Sequence, residues 1–284
     1  MNAYDGSWDP HFPQVMHFVD LKNCCAKPWK LLEAHPCYEA AKKNENHAAA
    51  LHLVYDLLKT RENQSQLEFL KQNYSNAIII PVRAMEAGGK NRIPEALAEY
   101  IGQKTGFNVN TEIVQSNKVF RTGSDEWHRF AFRPTFDGQV TPNRKYLLVD
   151  DVFAQGGSFN ELRLFIERNG GKVVQTASLS LGGHGNKIAP EPQLTKSLID
   201  KFGSDKLSLF LKEIDLYDGN YKALTNPETF ALRRSSSLDE ARDRILAARC
   251  QRKPSMVSES IQEIGNKTPA ITSIDENVRR GIRR

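Results

Sequence analysis

Between Lys145 and Leu181 the chain alternates in a way that few folds accommodate. Lys145-Tyr-Leu-Leu-Val-Asp-Asp151 is a short apolar run ending in two carboxylates, the pattern of a strand covered on both faces. A glycine-bearing turn follows from Phe153 to Ser158. A helical pattern then runs over Asn160–Asn169, with Leu162, Phe165 and Ile166 on one face and Gly170-Gly171 as the stop. Lys172–Leu181 reads as a second strand, entering Gly182-Gly183-His184-Gly185. Strand, helix and strand at this spacing form a βαβ unit, which requires a parallel sheet. Ala77-Ile-Ile-Ile-Pro-Val82, rich in β-branched residues, adds another buried strand. The expected class is α/β, a parallel sheet flanked by helices.

Composition narrows what surrounds that sheet. The 284 residues are 39% hydrophobic, enough for a substantial core. No apolar run approaches the ~20 residues of a membrane-spanning helix, so no membrane partner is expected. The opening MNAYDGSWDP has neither a charged start nor an apolar stretch, so a signal peptide is not expected. Cys24, Cys25, Cys37 and Cys250 are too few and too unevenly spaced for a disulfide scaffold, which points to a cytoplasmic, reducing setting. Twelve of the 39 basic residues but only seven of the 34 acidic ones lie from Arg233 onward, so that segment carries the whole net charge of +5. Such a segment can contact a nucleic acid or an acidic protein partner; a solvated helical extension is the plainer reading.

The flanks are less regular. Residues 1–37, with Trp8, Pro10, Pro13, Pro28, Trp29 and Pro36, read as ordered loop. From Pro36 to about Asn73 the pattern is helical, with Leu51, Val54 and Leu58 on one apolar face and Leu67 and Leu70 on another. Pro94–Lys104 reads as a helix with Gly106 past its end, and 107–136 is polar with weak periodicity. Beyond Pro190 the pattern suggests helices over Gln193–Phe202, Leu207–Leu211 and Leu238–Cys250, then a Ser/Thr/Asn-rich connector. The expected organisation is a cap or hood over 1–75, a core over 76–190, a helical extension over 191–252 and a basic tail over 253–284.

The chemistry concentrates at Asp150 and Asp151. A buried strand delivers two adjacent carboxylates to the sheet edge where open α/β sheets bind ligands. The turn after them opens a helix, whose backbone N–H groups and dipole suit a phosphate, with Ser158 as a candidate N-cap. Carboxylates beside an anion site suit a ribose with free hydroxyls or a Mg²⁺ ion. The run Tyr146-Leu-Leu-Val-Asp-Asp-Val-Phe-Ala-Gln-Gly-Gly-Ser158 resembles the 5-phosphoribosyl-1-diphosphate (PRPP) signature of type I phosphoribosyltransferases. It departs at Phe153, and at Ala154 and Gln155, where threonine is usual.

That resemblance implies that Asp150 and Asp151 contact the ribose and its metal, and that Ala154, Gln155, Gly156, Gly157 and Ser158 cradle the 5-phosphate. It places Mg²⁺-diphosphate on the earlier loop, at Arg83, Gly88, Gly89 and Lys90, with Arg92 nearby. It places a closing loop at 115–140, where Arg121, Arg129 and Arg133 are candidates to neutralise diphosphate, Arg129 foremost. It places acceptor recognition near His184. The layout of Lys90–Ile101 with Arg129 and Phe130–Phe132 is similar to the ComF-like branch, which is linked to DNA uptake, although the paired CxxC zinc module of that branch is absent. The implied activity is transfer of a phosphoribosyl group from Mg²⁺-bound PRPP to a nucleobase-like nitrogen acceptor, in a protein that is often a homodimer. The alternative is a non-catalytic PRPP or nucleotide sensor, or an accessory protein that contacts nucleic acid through the basic segment. Two adjacent acids also occur in receiver domains, but those need a later strand-borne aspartate. The GxGxxG and Walker patterns are missing. The N-terminal histidines and cysteines lack paired metal-ligand spacing.

Overall fold

The computed structural model describes residues 4–19, 29–83, 85–86, 89–119, 125–183 and 185–250. In chain order these form β1 (Met16–His17), α1 (Trp29–Glu33), α2 (Tyr38–Lys42), α3 (His47–Leu58), α4 (Arg61–Asn73) and β2 (Ile78–Pro81). Then come β3 (Met85–Glu86), β4 (Gly89–Lys90), α5 (Ile93–Thr105), β5 (Asn108–Val109), β6 (Val114–Gln115), α6 (Glu126–Ala131) and β7 (Phe136–Asp137). The remainder is β8 (Lys145–Phe153), α7 (Gly157–Arg168), β9 (Lys172–Leu181), α8 (Pro192–Phe202), α9 (Ser204–Glu213), α10 (Asn226–Arg234) and α11 (Leu238–Cys250).

The main sheet has the order β1-β9-β8-β2-β5, and every pairing in it is parallel. This is the expected α/β class. β8 lies at its centre, with Leu147 opposite Ile79 on one side and Gln175 on the other. Successive side chains of a strand point to opposite faces. Leu147 and Val149 accordingly join Ile79, Ala177 and Leu179 under α3, α4 and α5. Tyr146 and Leu148 face the other way, onto Phe159, Leu162 and Ile166 of α7 and onto Trp8. A third core gathers α8 to α11 around Phe210, Leu211 and Leu232, and takes in Trp127 and Phe130 of α6. Among the described residues, no helix is long and apolar enough to cross a membrane.

Several boundaries differ from the sequence reading. The helical pattern before Asn73 is three helices, because Asn46 and Thr60 each accept a backbone N–H and so open a new one. β8 continues to Phe153, since Val152 and Phe153 still pair with Ser180 and Leu181. α7 begins at Gly157, with Gly156 as its N-cap at φ +80°; Ser158 therefore lies in the first turn and is not the cap. β1 and α6 interrupt segments that read as irregular. α10 went unread, although Thr225-Asn-Pro-Glu228 is a full capping box with proline in the first turn. The connector beyond Cys250 lies outside the described residues.

The N-terminal segment is fastened to α7 by Arg163, whose side chain is 3% exposed. It donates to Asn160 Oδ1 (2.8 Å), to the Gly6 carbonyl (2.7 Å), to Tyr4 (2.6 Å) and to Glu167 (2.9 Å). Its guanidinium also lies 3.9 Å from the centre of the Trp8 ring. Replacing Arg163 by methionine leaves Glu167 without its cation, with the Tyr4 hydroxyl and the Val173 N–H as its donors, and takes a buried donor from Asn160 Oδ1 and the Gly6 carbonyl. We expect a loss of about 3–5 kcal/mol, read as a lower denaturation midpoint at unchanged slope. A loss below about 1 kcal/mol, the usual scale of an exposed ion pair, would show that the clamp is not structural.

Candidate functional site

Asp150 and Asp151 lie among the last four residues of β8, at its carboxyl end, beside a cavity of about 430 Å³. Asp151 is 6% exposed, and both of its oxygens have partners. Oδ1 accepts the Val152 N–H at 2.8 Å; Oδ2 accepts Lys42 Nζ at 2.5 Å and Asn91 Nδ2 at 2.9 Å. Asn91 is itself held, its Oδ1 taking the Ile93 N–H at 3.1 Å at the start of α5. Burial alone would raise the pKa of Asp151; the Lys42 charge and these hydrogen bonds outweigh it and hold the carboxyl below its usual value. Asp150 behaves oppositely. Burial, and then the Asp151 charge, push its pKa well above the ordinary value, although Oδ1 accepts the Asp151 N–H at 2.8 Å.

The turn from Ala154 to Ser158 is braced from behind. The Gln155 carbonyl accepts Thr225 Oγ1 at 2.7 Å, and the Phe153 carbonyl accepts the Gly182 N–H at 2.6 Å. Gly156 is required twice over: its φ is +80°, and a Cβ there would lie 2.9 Å from Phe153 Cε2. At Gly157 an added Cβ would meet Arg133 Nη1 at 2.5 Å. The carboxamide of Gln155 is buried, and neither its nitrogen nor its oxygen has a partner. An unmet buried polar group costs about 1–3 kcal/mol, so the tension of this loop sits at the position where the signature has threonine.

The three arginines expected from the closing loop diverge. Arg129 lines the cavity; burial lowers its pKa against the opposing charges of Asp150, Asp151 and Asp125. Arg133 does not serve the cavity. It is locked among Glu161 (2.9 Å), Glu228 (2.5 Å) and the Tyr217 hydroxyl, and reaches the Gly157 carbonyl at 3.5 Å. Its burial works against the charge, but these partners keep it protonated. Arg121 lies outside the described residues.

The earlier loop is a hairpin of β3 and β4. Its cations converge on one carboxylate that the sequence reading passed over, Glu95 in the first turn of α5. Arg83 binds Glu95 Oε1, Lys90 Nζ lies 2.8 Å from the same oxygen, and Arg92 Nη1 is 2.8 Å from Oε2. Burial would raise the pKa of Glu95, yet the hydrogen bonds from Lys90, Arg92 and Arg83 hold it at about 2. Among the described residues of this loop, Asn91 joins the cavity. Gly89 lies in β4, and Gly88 falls outside the described residues, as does His184. The site residues brought together are thus Arg129, Asp150, Asp151, Ala154, Gln155, Gly156 and Ser158, with Lys42 and Asn91 as additions. Lys42 left a weak signal: it is one of two adjacent lysines, and only packing selects which turns inward.

The acid pair does not suit a resident divalent ion. Both oxygens of Asp151 are taken, one of them by an ammonium group, and among the described residues no group of three or more His, Cys, Asp or Glu could hold a metal. The basic segment is also engaged where it is described. Arg234, Arg242 and Arg244 form ion pairs with Glu126, Glu213 and Glu240, and Arg249 donates to the Ile214 carbonyl.

No family model matches the chain. It is 36% identical over 262 residues to Protein TraN of Escherichia coli, covering 92% of this chain and 54% of that protein. It is 41% identical over 161 residues to an uncharacterised protein of Haemophilus influenzae, covering 56% of this chain and 33% of that protein. The chain therefore spans about half the length, or less, of the curated relatives it matches. Among solved structures, an adenine phosphoribosyltransferase from Rhodothermus marinus aligns with a TM-score of 0.32 and 18% identity over 44% of this chain and 68% of that one. A second adenine phosphoribosyltransferase aligns with a TM-score of 0.32 and 13% identity over 49% and 73%.

Two outcomes test this electrostatic arrangement. Lys42→Met leaves Asp151 buried beside Asp150 without its cation, so we expect a loss of about 3–5 kcal/mol, partly recovered when Asp151→Asn is added; additive losses in the double variant would exclude a direct pair. Glu95 has a depressed folded pKa, so its stabilisation is complete above its ordinary value of 4.5 and is lost as pH falls toward about 2. Urea midpoints measured between those values should fall less steeply in Glu95→Gln; an unchanged acid limb would contradict this.

Proposed function

We propose that the chain binds PRPP and transfers its phosphoribosyl group to a nitrogen acceptor. The ribose C1–oxygen bond to diphosphate breaks, a C1–nitrogen bond forms, and the acceptor's N–H proton passes to solvent. The observation that carries this reading is the meeting, in one cavity, of the Asp150–Asp151 pair with a glycine turn that opens a twelve-residue helix. Asp150 would take a ribose hydroxyl, and Asp151, held by Lys42 and Asn91, would set its position. The backbone N–H groups at Gly157 and Ser158 would take the 5-phosphate. Arg129 would face the departing diphosphate. Mg²⁺ would arrive with the diphosphate as part of the substrate, since the acids do not suit a resident ion. Catalysis would rest on positioning and charge stabilisation.

A second reading, binding without turnover, is favoured by the hydroxyl-free Ala154 and the unpartnered Gln155 amide. Calorimetric titration of PRPP with Mg²⁺ should show binding that weakens at least about tenfold, or about 1.4 kcal/mol, in Asp150→Asn/Asp151→Asn. No binding by the unaltered chain, or equal binding by the variant, would sink the proposal. Diphosphate release in the presence of acceptors separates transfer from binding alone.

A further inference from the structure

Asp151 meets a cation that belongs to the chain itself. Lys42 Nζ lies 2.5 Å from Asp151 Oδ2, and the two side chains are only 12% and 9% exposed. A lysine ammonium is a compact point charge, and here it takes the oxygen that a divalent ion would need. The backbone around Lys42 fixes it there. The carbonyl of Ala41, a fully buried residue, accepts the Arg92 N–H at 3.1 Å. The Glu45 carboxylate accepts the Lys90 N–H at 3.0 Å. The residue before Lys42 is thus bonded to the residue after Asn91, so one stitched unit supplies both donors to Oδ2. The charges are also matched. Among the described lining residues, Lys42 and Arg129 face Asp150 and Asp151, and the exposed Glu33 is the other charged group. A divalent ion at Asp151 would have to drive the ammonium out of its pair in a poorly screened setting.

We propose that Lys42 is the resident cation of the acid pair: it stands at Asp151 where a divalent metal would, so the ribose side of the site binds without metal and any metal requirement comes from the diphosphate alone. This rests on the phosphoribosyl reading above and sets the metal dependence of that same site. Lys42 is a positioning residue, acting on ligand through the carboxylate it holds. Two consequences follow from the geometry. A phosphoribosyl monoester, which brings no diphosphate, is bound equally with and without Mg²⁺. Removing the ammonium frees one carboxylate oxygen beside Asp150 and Asn91, and one or two carboxylates with water suffice for a hydrated divalent ion.

The test is calorimetry with ribose 5-phosphate in EDTA and in excess Mg²⁺. The unaltered chain should bind it equally in both, within about twofold. Lys42→Ala should bind it at least about tenfold more weakly in EDTA and recover most of that loss in Mg²⁺; Lys42→Arg, which keeps a cation, should not respond to Mg²⁺. In a second arm Mn²⁺ alone is titrated and followed by electron paramagnetic resonance. Lys42→Ala should bind Mn²⁺ at least about tenfold tighter than the unaltered chain, and Lys42→Ala/Asp151→Asn should lose that gain. Two results on the unaltered chain overturn the inference even where no Lys42 variant folds: a loss of ribose 5-phosphate binding of about tenfold or more in EDTA, or Mn²⁺ binding that Asp151→Asn removes. A folded Lys42→Ala with no gain in Mn²⁺ affinity overturns it as well. If ribose 5-phosphate binds in neither buffer, the phosphoribosyl reading fails, and the Mn²⁺ arm still decides the place of Lys42.

Discussion

Two adjacent carboxylates at the end of a buried strand are costly, because desolvation and mutual repulsion both oppose their charge. Here the cost is met by long-range partners. Lys42 comes from α2 and Asn91 from the turn before α5, and both reach the same oxygen of Asp151. The pair thereby draws the N-terminal segment and the β3–β4 hairpin onto the carboxyl end of β8. It also divides the labour between the acids: Asp151 is held as the anion, while Asp150 is driven toward its protonated form.

The same device recurs on either side of the site. Glu95 gathers Arg83, Lys90 and Arg92 and so fixes the loop after β2. Glu228, fully buried, gathers Arg133 and Tyr217 and completes the capping box of α10. Arg133 in turn packs against Gly157. A buried acid with several donors is geometrically demanding, since losing any one donor leaves charge uncompensated in a low-dielectric setting. Of the three acids Asp151 lines the cavity, while Glu95 and Glu228 each fix a neighbouring segment.

What could be read from the sequence was local. β8, α7 and β9 announce themselves through an unbroken apolar run, a helical face and glycine stops, and the acid pair stands out because carboxylates rarely end such a run. The partners of those acids were not legible. Lys42 and Lys43 are chemically identical, and only tertiary packing sends one to Asp151 and the other to Glu39. Arg129 and Arg133 share a helical spacing, yet the chain leaves helix at Phe132, so one faces the cavity and the other is sealed among acids. The two-residue β1 has no pattern of its own and exists because β9 offers an edge. The capping box at Thr225 was a local signal that could have located α10.

The helix that opens at the anion turn is also where distant parts of the chain meet. Along α7, Asn160 donates to the Ala223 carbonyl and Arg163 to Gly6. Nearby, Asn220 donates to the Asp5 carbonyl across 215 residues, and Trp8 spans the same separation to Ala223. Contacts this remote in sequence require closure of a very long loop before they stabilise anything. The helix that opens at the binding turn is thus tied to contacts of the slowest-closing class, from the N-terminal segment and from residues 220–223.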